Sequence, residues 1–198
     1  NRVLNFLEKP SAEELTKIST RTVNAGTYIL EPSVLDLIPN GENYSFEYGV
    51  FPELLKRNDK FLAFVDDSYW LDVGTPQRYL HAHQEIINHR VSGFLGEDFR
   101  DSASVSATAE ICPNSIIGKG CVIKDGAKIE NSVLGENVFV GENCNIKDSV
   151  ILSQTELDKN VSVAGAIIGR NCRIGSYSNI RRETILGETS DLTEYSKV

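Results

Sequence analysis

The sequence predicts an α/β unit followed by a parallel β-solenoid, and three observations predict it. First, aliphatic steps recur down the second half: SIIG at 115–118, SVLG at 132–135, SVIL at 149–152, AIIG at 166–169 and TILG at 184–187. Their second aliphatic residues, Ile117, Leu134, Ile151, Ile168 and Leu186, lie 17, 17, 17 and 18 residues apart. Second, the aliphatic positions within an interval come six, six and five apart, as in Ile117, Ile123, Ile129 and Leu134. A fixed period of this kind marks a solenoid. A hexad is too long for a helical face and suits three short strands per turn, each with one side chain pointing inward. Third, strand-like and helix-like runs alternate through the first 90 residues, the pattern of an α/β unit.

The elements follow in order. Residues 1–9 read as a strand built on Val3, Leu4, Phe6 and Leu7 and stopped by Pro10. Ser11 and Glu14 form a capping-box pair opening a short helix, SAEELTKI. TVNAGTYIL (22–30) is a strand with Gly26 inside it, a residue that often marks close approach of a ligand or another backbone. Residues 33–38 form a helical turn and 46–57 a helix with Pro52 near its start; 60–65 is a strand leading into SYWLDVGTP. Thr75 caps a helix that has Pro76 at its first position and runs to about Arg90. Residues 91–101 are a linker with two glycines, and 102–198 hold the coils. The turns carry Asn114, Gly120, Gly126, Asn131, Asn137, Asn143, Asn160 and Asn171, which tolerate left-handed backbone. SDLTEYSKV breaks the repeat and is expected to cover the open end of the last coil.

Bulk properties narrow the function. A net charge of −8 argues against nucleic acid or an anionic membrane as the main partner. No apolar run approaches the roughly 18 residues of a membrane span. Cys121, Cys144 and Cys172 each fall four residues after an inward aliphatic, an offset shared by Ala127, Val138, Val161 and Ser178. That slot is a tight inner corner, where a free thiol acts as a small hydrophobe; this favours a reducing compartment, and a cytoplasmic location is expected. The chain contains no methionine and opens directly into VLNFLEKP, so Asn1 is expected to be an internal residue of a longer protein.

Three clusters in the first 76 residues could carry chemistry. Glu8-Lys9-Pro10 ends an apolar strand, Asn24-Ala25-Gly26 sets an amide beside a glycine within a strand, and Asp72 lies in Trp70–Pro76 just before a helix. Each alone has a structural reading: a surface turn, a bulge with Asn bonded to nearby backbone, and a turn acid.

In order and separation, FLEKP, VNAGTYIL and YWLDVGTPQRYL resemble the second half of the catalytic domain of sugar-1-phosphate nucleotidyltransferases, most closely the mannose-1-phosphate guanylyltransferase branch. The resemblance spans essentially the whole chain. It implies a partial nucleotidyltransferase (Rossmann-like) α/β domain followed by a left-handed parallel β-helix of hexapeptide repeats. By resemblance, Lys9 contacts the phosphate and sugar of the sugar 1-phosphate, with Glu8 on the sugar hydroxyls. Asn24 and Gly26 line the sugar pocket, and Asp72 is one of two aspartates holding catalytic Mg2+. The chemistry suits these residue types. A sugar phosphate is already an anionic nucleophile, so attack on the α-phosphorus of a nucleoside triphosphate needs alignment and cations rather than a general base. The family's glycine-rich GxGTRL loop, its base-binding residues and its first metal aspartate have no counterpart here. The isolated chain is therefore expected to be inactive, and a missing N-terminal segment or partner chain to complete it. A homo-oligomer assembled through the β-helix is also implied.

Other readings are open at this point. Glucose-1-phosphate uridylyl-, thymidylyl- or adenylyltransferases share the motifs, as would a non-catalytic regulatory or assembly subunit. Hexapeptide coils also occur in acyltransferases that use a histidine base, but residues 101–198 contain no histidine. His81, His83 and His89 fall in the helix after Pro76 and read as surface residues. Arg170, Arg173, Arg181 and Arg182 form the one basic concentration on the coils; they read as solvated corners or as a site for a phosphate effector.

Overall fold

A computed structural model describes residues 1–16, 22–88, 90–91 and 102–198. The chain divides into two compact units, Asn1–Trp70 and Leu71–Val198. The helix opened by Pro76 therefore belongs with the coils, and so does Asp72.

In the first unit the core is aromatic. Val50, Phe51 and Leu54 are buried, with Phe6, Tyr28, Val34, Leu37, Ile38, Phe46 and Phe61 packed against them. Phe51 is the hub, its ring centroid 5.0 Å from that of Phe6 and 5.1 Å from those of Tyr28 and Phe61. Edge-on and tilted pairs of this kind add to area burial. Ser11 and Glu14 make the expected capping box on helix α1 (Ala12–Leu15); the rest of the expected helix lies outside the described residues. A 3-10 turn (Pro32–Leu37) and a π turn (Phe46–Val50) precede helix α2 (Phe51–Lys56), where Pro52 occupies the first turn. Its missing N–H costs nothing there, so it starts the helix rather than interrupting it.

The expected strands of this unit do not join into a sheet. Among the described residues the one backbone pairing is the antiparallel bridge of Arg2 with Leu62, flanked by Val3 N–H to the Phe61 carbonyl at 2.9 Å. A strand is stable only against bonded neighbours. Leu4, Ile29 and Phe64 are 86%, 102% and 90% exposed, so these three side chains have no cover within the unit, while Phe6, Tyr28 and Phe61 of the same segments pack on its core.

Helix α3 (Pro76–Ile87) opens the second unit as expected, with Thr75 Oγ1 accepting from Arg78 N–H at 3.3 Å. Its Leu80, His83, Gln84 and Ile87 face Asn131, Val133, Asp148, Ser149 and Val150 across a narrow crevice. The coil then carries three parallel sheets. One runs through Ser104–Val105, Val122–Ile123, Phe139–Val140, Glu156–Leu157, Arg173–Ile174 and Asp191–Leu192. The others stack Glu110–Ile111 through Asn179–Ile180 and Ile116–Ile117 through Ile185–Leu186. The register puts like on like: Ile117 beside Leu134, Leu134 beside Ile151, Ile168 beside Leu186. Ile117, Ile123, Ile129, Leu134, Ile146, Ile151, Leu157, Ile168, Ile174 and Ile180 are all buried, each contributing about 1.5–3 kcal/mol.

The polar atoms of the interior are bonded from rung to rung. At the inner corner Cys121 Sγ–H donates to the Gly135 carbonyl at 3.1 Å and Cys144 Sγ–H to that of Asp158 at 2.9 Å. Thr155 and Ser178 do the same to Gly169 and Thr193, at 2.7 and 3.1 Å. Ser115, Ser132 and Ser149 form a second buried column, each Oγ accepting the backbone N–H found 17 residues on. Burial pushes the Cys121 thiol up, and raises Cys144 from its ordinary 9.0 to about 11.

Of the eight expected turn residues, all but Asn114 have positive φ. The left-handed turn aims its own N–H at the rung before it, as from Asn137 to the Lys119 carbonyl at 2.8 Å and from Asn160 to Glu142 at 2.8 Å. Tyr177, Glu183, Thr189 and Tyr195 also adopt positive φ, which their residue types do not announce; Tyr177 and Tyr195 stack in parallel with centroids 5.0 Å apart. The tail prolongs the repeat where a break was expected. Asp191–Leu192 pairs with Arg173–Ile174, and Asn179 N–H reaches the Ser196 carbonyl at 2.8 Å. Leu192 keeps the hexad six residues after Leu186 and packs on the core, so the repeat runs on through the tail.

Two expectations test this packing. At Gly165, φ is +58° and a Cβ would lie 2.7 Å from Arg182 Cγ, in the path Arg182 takes to Asp148. Gly165→Ala should therefore cost at least about 1–2 kcal/mol in urea unfolding, and an unchanged midpoint would contradict the geometry. Among the thiols, Cys112 should be the first to react with an aromatic disulfide in the native protein, the other three reacting on unfolding. The raised Cys144 pKa means the folded coil holds that proton more tightly than the unfolded chain. Its stabilising effect is complete below about pH 9 and falls as the pH climbs from there towards 11, readable as a loss of melting temperature over that range.

Candidate functional site

Lys9 ends the first extended segment with φ at +48°, and Pro10 follows. Its ammonium is exposed and lies 4.0 Å from the Glu8 carboxylate. The turn projects a flexible cation into solvent, a form suited to meeting a phosphate. Asn24 is held from both ends of its amide: Oδ1 accepts from Gly26 N–H at 3.0 Å and Nδ2 donates to Tyr28 Oη at 2.6 Å. Tyr28 in turn donates to Glu47 Oε1 at 3.5 Å, and Glu47 accepts from Ser45 Oγ at 3.1 Å. Gly26 has φ at +74° and open space where a Cβ would stand. The turn thus presents a bare backbone patch beside a fixed amide. Among the described residues, no hydrogen bond or ion pair joins Glu8 or Lys9 to Asn24 or Gly26.

Asp72 belongs to the second unit. Arg78 Nη1 donates to Asp72 Oδ2 at 3.3 Å and to the Asp72 carbonyl at 3.1 Å. Tyr28 and Arg78 stand inside the VNAGTYIL and YWLDVGTPQRYL motifs, but neither their bonds nor the part of Glu47 can be read from the sequence. Arg78 had a faint sign, standing in the first turn of a capped helix six residues from the acid. Among the described residues no group of three or more His, Cys, Asp or Glu side chains could hold a metal ion. Asp72 alone is a hard, exposed carboxylate donor of the kind Mg2+ prefers, so the residue fits one position of a shared Mg2+ site.

The coil arginines have partners. Arg170 meets Glu188 at 3.2 Å, Arg173 meets Glu156 at 3.8 Å, Arg182 meets the largely buried Asp148 at 3.0 Å, and Arg181 Nε donates to the Val198 carbonyl at 3.4 Å. His83 Nδ1 donates to the Tyr79 carbonyl at 2.9 Å and its ring tilts against Tyr79, so it is half-buried rather than a surface residue. His81 is exposed, and His89 lies outside the described residues.

Comparison with known proteins accounts for both units. Residues 99–198 match the family described as the EIF2B subunit epsilon LbH domain. The chain belongs to this LbH-domain family. Residues 1–89 match the nucleotidyl transferase family, so the LbH coil follows a segment bearing all five residues singled out above.

Curated relatives align with most of the chain. A mannose-1-phosphate guanylyltransferase of Mycobacterium tuberculosis is 33% identical over 154 residues, covering 74% of this chain and 42% of that protein. A probable mannose-1-phosphate guanylyltransferase 2 of Oryza sativa is 32% identical and covers 94% of this chain and 48% of that protein. A UTP–glucose-1-phosphate uridylyltransferase of Synechocystis is 26% identical over 80% of this chain and 47% of that protein. The LbH chain spans about half the length of the curated relatives it matches. Among the described residues no helix is long and apolar enough to cross a membrane.

If the amide bridge sets the Asn24 turn, Asn24→Ala should cost about 1 kcal/mol in unfolding and release Tyr28, whereas Asn24→Ala with unchanged stability would contradict a built turn.

Proposed function

We propose that the intact protein joins a sugar 1-phosphate to a nucleoside monophosphate group, giving a nucleoside-diphosphate sugar and pyrophosphate. GTP and mannose 1-phosphate are the preferred pair, with GDP-mannose the product. The observation that carries this reading is the order FLEKP, VNAGTY and WLDVGTP inside the segment matched by the nucleotidyl transferase family. The guanylyltransferase relatives support the pair; the uridylyltransferase keeps UTP and glucose 1-phosphate as the second choice.

A phosphate oxygen of the sugar 1-phosphate attacks the α-phosphorus, and the bond from that phosphorus to the β,γ-diphosphate breaks. Lys9 meets the sugar phosphate and lowers the repulsion between the two anions. Glu8 accepts hydrogen bonds from sugar hydroxyls. The Asn24 amide and the bare backbone at Gly26 line the sugar, with Tyr28 fixing Asn24. Asp72 is one of two aspartates for Mg2+, the second lying outside this chain. Bound there, Mg2+ would offset charge on the reacting phosphates.

Residues 1–90 are on this reading the C-terminal half of the catalytic domain and 102–198 the LbH coil, a left-handed helix whose tail continues the repeat; the expected linker at 91–101 lies outside the described residues but for residue 91. The uncovered Leu4, Ile29 and Phe64 are the face the N-terminal half would bury. The coil serves homo-oligomer assembly, and its buried thiols at Cys121, Cys144 and Cys172 suit the cytoplasm.

Steady-state kinetics of the intact enzyme test the reading. Lys9→Ala should raise KM for the sugar phosphate at least tenfold with KM for the nucleotide little changed; unchanged kinetics would remove Lys9 from the site. The 198-residue chain alone should show no turnover until its N-terminal half is added in trans. Turnover by the purified chain alone would refute the division of the site.

A further inference from the structure

We infer that Arg78 is a positioning residue for the Asp72 carboxylate, an inference that rests on the reading of Asp72 as a Mg2+ ligand. One guanidinium nitrogen, Arg78 Nη1, donates to both the side chain and the main chain of Asp72, at 3.3 Å to Oδ2 and 3.1 Å to the carbonyl oxygen. The acid is thereby tied to its own backbone through Oδ2, and Oδ1 takes no part in the contact. The arrangement does not depend on the glycine at 74, where a Cβ would make only an ordinary contact, 3.7 Å from each carboxylate oxygen.

Arg78 itself stands on a fixed base. Its backbone N–H donates to the Thr75 cap at 3.3 Å, placing it in the first turn of α3. The far end of α3 is bonded to the coil: Asn88 Nδ2 donates to Asn131 Oδ1 at 3.3 Å, and Asn114 Nδ2 to Asn88 Oδ1 at 3.3 Å. Ile87, one residue before Asn88, is buried. A continuous set of contacts within one compact unit thus runs from the coil, along the helix, to the carboxylate.

An exposed ion pair of this kind, with side chains 53% and 64% exposed, adds little to stability. Its effect falls instead on orientation. A carboxylate on an exposed turn must give up rotation to bind a cation, and one already held by charge-assisted hydrogen bonds gives up less. The opposite effect, an arginine charge that competes with the cation, predicts the opposite sign.

Mn2+ binding to the full-length protein, followed by the electron paramagnetic resonance of free Mn2+, reads that sign without reference to turnover. Arg78→Ala should weaken Mn2+ binding by roughly tenfold, leave the melting temperature unchanged, and change KM for the sugar phosphate by less than about twofold. Arg78→Lys should recover part of the loss, since it keeps the charge but not the planar fork. Unchanged or tighter Mn2+ binding by Arg78→Ala, with Asp72→Asn weakened, overturns the role given to Arg78. Unchanged binding by Asp72→Asn overturns the ligand reading and this inference with it.

Discussion

Each rung of the coil depends on the next for the partners of its own backbone. Val122 N–H reaches the Val138 carbonyl at 3.0 Å, Phe139 that of Thr155 at 3.0 Å, and Glu156 that of Cys172 at 2.9 Å. Strands of two or three residues are too short to stand alone, so stability comes from repetition. The hexad delivers an aliphatic side chain to the same interior place on every rung. Close approach of the rungs then dictates the rest. A Cβ at Gly118 would lie 2.5 Å from the Gly135 backbone, and at the inner corner only a small side chain fits. Where that side chain is Cys, Thr or Ser, its hydrogen goes to a carbonyl of the following rung.

The rigidity reaches beyond the coil. Helix α3 packs on it and is bonded to it through Asn88, so the turn carrying Asp72 rests on the most firmly built part of the molecule. If Asp72 holds Mg2+ as proposed, it would gain from such support, because small displacements of a donor weaken coordination. The first unit is built differently, around Phe51 and its ring neighbours. Its candidate residues sit on turns with positive φ at Lys9 and Gly26, conformations that present side-chain and backbone groups rather than bury them.

Much of the coil could be read from the sequence because its period is a packing requirement repeated many times. The inner corner was visible for the same reason, since Cys121, Ala127 and Cys144 recur at one offset. The last turns were not: Tyr177 and Tyr195 take a left-handed backbone that neither residue favours, with their rings stacked on each other, and only the three-dimensional neighbour explains them. The tail was misjudged because Leu192 carries the hexad on a stretch of otherwise polar residues. The strand expected at 1–9 has the right residue types but keeps only the short bridge to Leu62, and that expected at 22–30 has no backbone pairing among the described residues. In the candidate site, motif order proposes Lys9, Asn24 and Asp72 as site residues. It does not propose Tyr28 and Arg78, because hydrogen bonding across a turn leaves no periodic trace.

Phosphorus NMR of the intact protein with GTP, mannose 1-phosphate and Mg2+ tests the central claim most directly. The account predicts that the sugar phosphate resonance is lost as a diphosphate ester and pyrophosphate grow in equal amounts. Growth of inorganic phosphate and GDP, or an unchanged spectrum with every nucleotide and sugar 1-phosphate pair, would contradict it.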